Sequence, residues 1–196
     1  MIDSTSKALN FEEAVLPHID AAYNLARWLT RNDADAQDMV QEAYLRALRF
    51  FSGFRGTDAR AWLLTIVRNT CYTWLRRNRS PELSCDFDEV VFAQESEEPD
   101  PETQQLQKAQ AQLVNEAIEK LPIEFREVVV LRELEELSYK EIAVVLEVPI
   151  GTVMSRLARA RKRLMLLLQG DNRFGSVSSV TGITGPLQQY IEQKGS

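Results

Sequence analysis

Apolar residues recur at helical spacing along most of the chain, and two stretches, 81–105 and 170–196, interrupt that pattern. Phe11 to Leu29 and Asp33 to Phe51 both place apolar side chains three and four apart, the spacing of an amphipathic helix. The second opens with Asp33 and Asp35, whose carboxylates complement the unpaired amides of a helix start. A third helix is predicted to begin near Asp58, with Trp62, Leu63, Ile66, Val67 and Thr70 towards the core and Arg68, Tyr72 and Arg76, four apart, on another face. Further on, Ser138 with Glu141 three residues later forms a capping box, so a helix is expected to start at Ser138. Ala143 within it is small enough to let a following helix approach closely. Pro149 cannot continue that helix, and from Ile150 apolar residues at Val153, Leu157, Ala160, Leu164 and Leu168 make one buried stripe. Two helices across so short a turn form a helix-turn-helix, for which duplex DNA is the first partner to consider. With no alternation of strands and helices, the expected fold class is all-α: two small helical domains, 1–80 and 106–169, joined by an acidic flexible linker at 81–105.

Charge sharpens this division. The chain has 196 residues and a net charge of −6, which is unexpected for a DNA binder. The segment 81–105 holds nine Asp and Glu and no Lys or Arg, so the rest of the chain carries 23 cations against 20 anions. Prolines, like charges and little periodicity make that segment an extended spacer. The tail 170–196 contains Gly and Ser, with Leu187 to Ile191 as a possible short helix. Disorder is its favoured reading, beside a regulatory appendage or a remnant of cloning. The N-terminus lacks the basic-then-apolar design of a signal peptide, and apolar runs are short. A cytoplasmic protein without membrane insertion is therefore expected. Cys71 and Cys85 have neither the spacing nor the histidines of a zinc site and read as free thiols. The single histidine, His18, reads as structural or exposed. No metal, no cofactor and no catalytic constellation is expected.

Candidate chemistry lies on two helices. On the helix from Ile150, Thr152, Arg156, Arg159 and Arg163 share one flank of the apolar stripe, with Ser155 and Lys162 beside them. A major groove suits such an edge, because Arg bonds guanine bidentately and hydroxyls and cations hold phosphates. The other reading of these arginines, a solvated helix end, leaves the capped helix before them unexplained. On the third helix, Arg68, Tyr72 and Arg76 lie near Asn69, Trp74, Arg77 and Arg79. Rings among arginines suit unpaired nucleic acid, since bases stack on rings while cations track the backbone. From spacing alone, a boundary of core aromatics with solvated arginines reads equally well.

The chain resembles the sigma factors of bacterial RNA polymerase, specifically the small extracytoplasmic-function (ECF) class that keeps two domains, sigma-2 and sigma-4. The residues that carry this are Leu25 to Leu29, Asp35 to Ala47 and Arg60 to Asn69 in the first half. In the second they are Leu121-Pro122, Glu141-Ile142-Ala143, Gly151 to Leu157 and Arg159-Ala160-Arg161. The resemblance covers roughly residues 11–168 and implies a factor that binds core polymerase and directs it to promoter DNA. It implies that Asp38, Gln41 and Glu42 contact the core at the coiled coil of the β′ subunit, with the β flap as a second contact. The loop Phe54-Arg55-Gly56-Thr57 and Arg68, Asn69, Tyr72, Arg76 and Arg77 would melt and read the −10 element. Glycines 53 and 56 would permit tight turns in that loop. The helix from Ile150 would read the −35 element as duplex through Thr152, Ser155, Arg156, Arg159 and Arg163. The acidic linker would thread towards the RNA exit path, and an anti-sigma protein would regulate the whole.

Three positions depart from the family pattern: Thr73 where Asp often follows the Arg-Asn pair, Gln37 for a common Glu, and Glu147 where the helix-turn-helix commonly has Gly. A non-glycine residue in a left-handed turn would cost about 1–2 kcal/mol, so a slightly different turn is expected at Glu147. The rival reading is a helix-turn-helix regulator that acts without core polymerase. It leaves Asp38 to Glu42 and the Arg68 to Arg77 stripe unexplained. A response regulator would need a phosphoacceptor βα domain, which the pattern does not offer.

Overall fold

The computed structural model describes residues 11–56, 58–78 and 111–169. The linker at 81–105 with Cys85, residue Arg79 and the tail at 170–196 lie outside the described residues. Helix α1 covers 11–15 and gives way to a 3₁₀ turn at Leu16–His18. It is followed by α2 (Ile19–Thr30), α3 (Asp33–Phe50), a 3₁₀ turn at Phe51–Gly53 and α4 (Ala59–Asn78). In the second half, α5 covers 111–119, α6 Ile123–Val129 runs on as a π-helical turn at Val130–Leu134, and α7 (Tyr139–Leu146) precedes α8 (Ile150–Gln169). Every regular element among the described residues is helical, so the fold is all-α. The described residues fall into two compact units, one within Met1–Ser84 and Leu137–Val153, the other within Cys85–Glu136 and Met154–Ser196.

In the first unit α2, α3 and α4 pack pairwise, and α7 packs on α4. The buried stripe of α3 is Ala36, Met39, Ala43 and Ala47, small side chains that let neighbouring helices come close. Asn32 caps α3, its side-chain oxygen accepting from the Asp35 amide at 3.0 Å. The continuous helix expected over Phe11 to Leu29 is instead broken, because Pro17 has no N–H to give and the chain tightens into the 3₁₀ turn around it. Asp58 caps α4 by accepting from the Ala61 amide at 2.9 Å. The core side of α4 also differs from expectation. Leu63, Val67 and Thr70 are buried as expected, but Ala61, Leu64, Cys71 and Leu75 join them, while Trp62 and Ile66 stay half-buried.

The helix-turn-helix forms as its local signals require. Ser138 accepts from the Glu141 amide and Glu141 accepts from the Ser138 amide at 2.7 Å, so the capping box is complete. Hydrogen bonding of the carboxylate to the Ser138 side chain first, and to the Ser138 amide second, holds the Glu141 carboxyl below its ordinary range, with the Arg60 guanidinium adding to it. The sign follows: this stabilisation is full above the ordinary carboxylate range and is lost as pH falls through the depressed value. Glu147 takes a left-handed conformation with φ 54° and ψ 43°. The turn is thus of the type that favours glycine, not the different turn expected from its absence. The Val148 amide donates to the Ala143 carbonyl across it, and Pro149 opens α8 by accepting from Thr152 at 2.8 Å.

The second unit is built around α6. Six consecutive residues, Arg126 to Leu131, are buried, as in a helix enclosed on all sides. Its arginine is accommodated because Arg126 donates to the carbonyls of Ile118 (3.4 Å), Glu119 (2.7 Å) and Leu121 (2.9 Å) where α5 ends, the first of which also accepts from the Leu121 amide. The stripe predicted on α8 is buried at Val153, Leu157, Ala160 and Leu164, with Leu168 half-buried.

Two expectations about stability follow. Glu147→Gly removes the left-handed strain at an exposed position and should stabilise the protein by about 1 kcal/mol, read as a higher urea midpoint; an unchanged or lower midpoint refutes the strain. The Cys71 thiol is pushed up from 9.0 to about 12 by burial, so the neutral thiol is the form the fold retains. Its contribution is full below pH 9 and declines as pH rises towards 12. In a Cys85→Ser chain, native Cys71 should alkylate at mildly alkaline pH at least about a hundredfold more slowly than the urea-unfolded chain; equal rates refute the assignment.

Candidate nucleic-acid interface

Helix α8 presents the predicted edge. Ser155, Arg159 and Arg163 are exposed together with Lys162, and Thr152 and Arg156 are half-buried beside them. The arginines are not equivalent. Arg156 donates through Nη1 to Glu127 Oε1 at 3.2 Å, and the Glu127 side chain is 0% exposed. Arg156 is therefore tethered to the interior of the second unit, whereas Arg159 and Arg163 project into solvent. A second tether joins Arg161 to Glu133 of the π-helical turn at 2.6 Å. Sequence reasoning missed Glu127 and Glu133, because each lies 28 or 29 residues from its partner and neither forms a local motif. It also passed over Met154, which is 53% exposed on α8 at about 160–180° around the helix from Arg156 and Arg163.

On α4, Arg68, Asn69, Tyr72, Arg76 and Arg77 come together towards the C-terminal half of the helix. The Arg68 guanidinium lies over the Tyr72 ring at 4.4 Å from its centroid and donates to Asn69 Oδ1 at 3.5 Å. Thr73, the residue in place of the expected Asp, donates to the Asn69 carbonyl at 2.8 Å and accepts from Arg76 Nη2 at 3.4 Å. A hydroxyl thus does part of what a carboxylate would do there, orienting Arg76 without neutralising it. Arg76 and Arg77 are exposed in the last turn, where the helix dipole favours cations.

Phe54 stands apart from that face. Its ring lies 4.8 Å from Trp62 and 6.1 Å from Phe51, within an aromatic cluster that continues to Phe11 and Tyr44. An open cleft of about 630 Å³ borders it, lined by Phe54, Trp62 and Thr65 and by Lys140, Glu141 and Val144 of α7. The glycines act differently from the expected tight turns. Neither has a positive φ, and a Cβ on Gly53 would meet open space. A Cβ on Gly56 would come within 2.9 Å of Phe54 Cε2, so Gly56 is there to let the ring pack against the backbone.

The third face belongs to α3. Asp38, Gln41 and Glu42 are exposed side by side, with Glu42 paired to Arg46 at 2.7 Å. Burial first, and Asp38 second, raise the Asp35 carboxyl above its ordinary value at the start of this helix. Between the acidic residues stands Leu45, 56% exposed, with Leu48 beside it. The acidic pattern had been legible; the exposed leucines had not, since a leucine in an amphipathic helix is expected to be buried. His18 is half-buried, and burial followed by the Arg60 guanidinium lowers its pKa, in line with a structural histidine.

Comparison with known proteins agrees with this arrangement. The description "Sigma-70 region 2" matches residues 14–80, and "Sigma-70, region 4" matches residues 111–164. The chain is 35% identical over 158 residues to the ECF RNA polymerase sigma factor SigE of Mycolicibacterium smegmatis, a match spanning 79% of this chain and 60% of that protein. It is 38% identical over 137 residues to the ECF RNA polymerase sigma-E factor of Escherichia coli, spanning 66% and 72%. Among solved structures, the sigma factor RpoE bound to the anti-sigma factor NepR, from Bartonella quintana, superposes with a TM-score of 0.67 at 28% identity, covering 83% of this chain and 98% of that one. CnrH in complex with the cytosolic domain of CnrY gives a TM-score of 0.58 at 28% identity, covering 82% and 88%. The chain belongs to the sigma-70 family of RNA polymerase sigma factors, within its ECF class.

The tether on Arg156 makes a prediction about stability. Arg156→Ala leaves the buried Glu127 carboxylate without its guanidinium and should destabilise the protein by roughly 1–3 kcal/mol, while Arg159→Ala should change stability by less than about 0.5 kcal/mol. Equal urea midpoints for the two variants would show that the Glu127 pair contributes nothing.

Proposed function

We propose that this protein binds core RNA polymerase and directs it to promoters, with α3 as a core-binding face, α4 at the −10 element and α8 at the −35 element. The observation that carries this reading is the presence on one chain of three faces of different chemistry. A mixed acidic and apolar surface suits a protein partner, an aromatic and cationic one suits unpaired bases, and a helix-turn-helix suits duplex. Asp38, Gln41 and Glu42, with Leu45 among them, are the proposed contacts to the β′ coiled coil, and the β flap is the proposed second contact. Arg68, Asn69, Tyr72, Arg76 and Arg77 are assigned to the −10 element. Phe54 is assigned there through the cleft it borders. Thr152, Ser155, Arg156, Arg159 and Arg163 are assigned to the −35 element.

Strand opening on this reading is driven by binding. A base taken out of the stack regains stacking on a ring and hydrogen bonds to amide and cationic groups, offsetting an unpairing cost of a few kcal/mol. The chain itself performs no covalent chemistry, which the polymerase supplies, and it acts in the cytoplasm. No helix among the described residues is long and apolar enough to cross a membrane. An anti-sigma protein is the proposed regulator, supported by the solved relative RpoE, which was captured with the anti-sigma factor NepR.

Run-off transcription with purified core polymerase on pooled promoter fragments tests the reading. Discrete new start sites are expected with this protein. They should be lost in Asp38→Ala/Leu45→Ser, which leaves the DNA-facing helices intact, and in Arg159→Ala, which leaves core binding intact. No stimulation, together with tight specific binding of duplex by the free protein at physiological salt, would establish the core-independent regulator instead.

A further inference from the structure

The pairing of Arg156 with Glu127 divides the arginines of α8 by how firmly their guanidinium groups are held. Arg159 and Arg163 are exposed, and among the described residues neither is engaged by a carboxylate. Each must be ordered when it meets nucleic acid, which suits contacts to phosphates, where direction matters little and charge matters most. Arg156 is different. Its side chain is 26% exposed, and it is gripped from below by a carboxylate at 0% exposure. That carboxylate lies in α6, among the six consecutive buried residues, so it has little room to move. A guanidinium has five N–H donors in a planar fork, and Glu127 engages it through Nη1, so donors remain for an outward partner. An ion pair with one member fully buried is also weakly screened by salt. The arrangement holds a planar donor group in a fixed orientation on the exposed flank it shares with Thr152 and Arg159. Base edges demand this, since bidentate bonding to a guanine tolerates only small misplacement.

We infer that Glu127 is a positioning residue for promoter recognition: from inside the second unit it fixes the Arg156 guanidinium for base readout in the −35 element, while Arg159 and Arg163 supply orientation-tolerant attraction to phosphates. This inference rests on the assignment of α8 to −35 duplex and adds to it the source of selectivity. Glu127 touches no nucleic acid and acts only through Arg156. Replacing its carboxylate with the isosteric carboxamide keeps a hydrogen-bond acceptor but removes the charge that holds the fork. The guanidinium then reaches DNA less ordered and prefers one base less strongly. Salt dependence should hardly change, because the number of cations facing the phosphates is unchanged.

The test uses holoenzyme reconstituted from core polymerase and the full chain, on promoter fragments in which each −35 base pair is permuted in turn. The readouts are the binding ratio between preferred and substituted pairs, and the slope of affinity with salt. For the unsubstituted protein, about tenfold or greater discrimination is expected at the pair read by Arg156. In Glu127→Gln it should fall to within about threefold at that pair alone, with the other pairs and the salt slope unchanged. Arg156→Lys should lose discrimination at the same pair, and the double variant should lose no more than either single one. Arg159→Ala should lower affinity for every fragment alike and flatten the salt slope. If Glu127→Gln discriminates as the unsubstituted protein does, or weakens all fragments equally, the inference is overturned while the −35 assignment stands. If Glu127→Gln fails to fold, Arg156→Lys decides: undiminished discrimination at every pair overturns the inference. Absence of any −35 preference in the unsubstituted holoenzyme overturns the assignment of α8 and this inference with it.

Discussion

The second unit depends on how two adjacent opposite charges are taken out of water on α6. Arg126 and Glu127 sit at the start of a run that is buried on every side, where an unpartnered charge would be prohibitive. Each is resolved by a different device. Arg126 spreads its donors over three carbonyls where α5 ends, joining two consecutive helices. Glu127 faces Arg156 of α8. Neither arrangement tolerates much slippage, because moving α6 by one residue would carry both charges into apolar surroundings. Buried ion pairs of this kind contribute little net stability against apolar replacements, but they penalise every register except one. The position of Arg156 on α8 is therefore set from below, by a charge within the buried run Arg126 to Leu131.

The first unit is organised by steric economy more than by charge. Alanines along α3 bring helices together closely, and the aromatic cluster from Phe11 to Trp62 fills the end where α1 and the loop after α3 meet. Gly56 belongs to that packing, not to the backbone freedom for which a loop glycine is usually chosen. With small side chains inside, the longer apolar residues of α3, Leu45 and Leu48, are left on the outside among carboxylates. That places an apolar patch in an acidic setting.

What could be read from the sequence was what depends on near neighbours. The capping box at Ser138, the stop at Pro149, the stripe from Val153 to Leu164 and the four-residue spacing of Arg68, Tyr72 and Arg76 all act within a turn or two of helix, and the structure holds them as expected. The failures have a common cause. Pro17 was passed over because the apolar period continues on both sides of it, and period alone does not register a missing N–H. Trp62 and Ile66 were taken for core because size suggested burial, whereas the helix packs through Ala61, Leu64 and Cys71. Glu147 was expected to avoid the left-handed region, yet the Glu147 and Val148 amides bond back to the Val144 and Ala143 carbonyls across the turn, and an exposed side chain tolerates the strain. The partner of Arg156 was invisible for a stronger reason. A glutamate inside an apolar run reads as a break in the pattern until a cation 29 residues away is brought to it.

The same physics bears on how an acidic protein handles DNA. Net charge governs long-range attraction, and here it is unfavourable. Local recognition depends instead on which cations are kept available and which are committed. The fold commits Arg126 to carbonyls, Arg156 to Glu127 and Arg161 to Glu133, and leaves Arg159, Lys162 and Arg163 exposed on α8. Committed cations contribute direction and free ones contribute attraction. On the proposed function, a surface with few free cations would bind weakly by itself, and specificity would be expressed when another protein adds to the binding free energy and brings the duplex within reach of the fixed groups. On that proposal, weak intrinsic affinity and a pre-set Arg156 would be two aspects of one design, with selectivity built into the protein interior and affinity drawn from assembly.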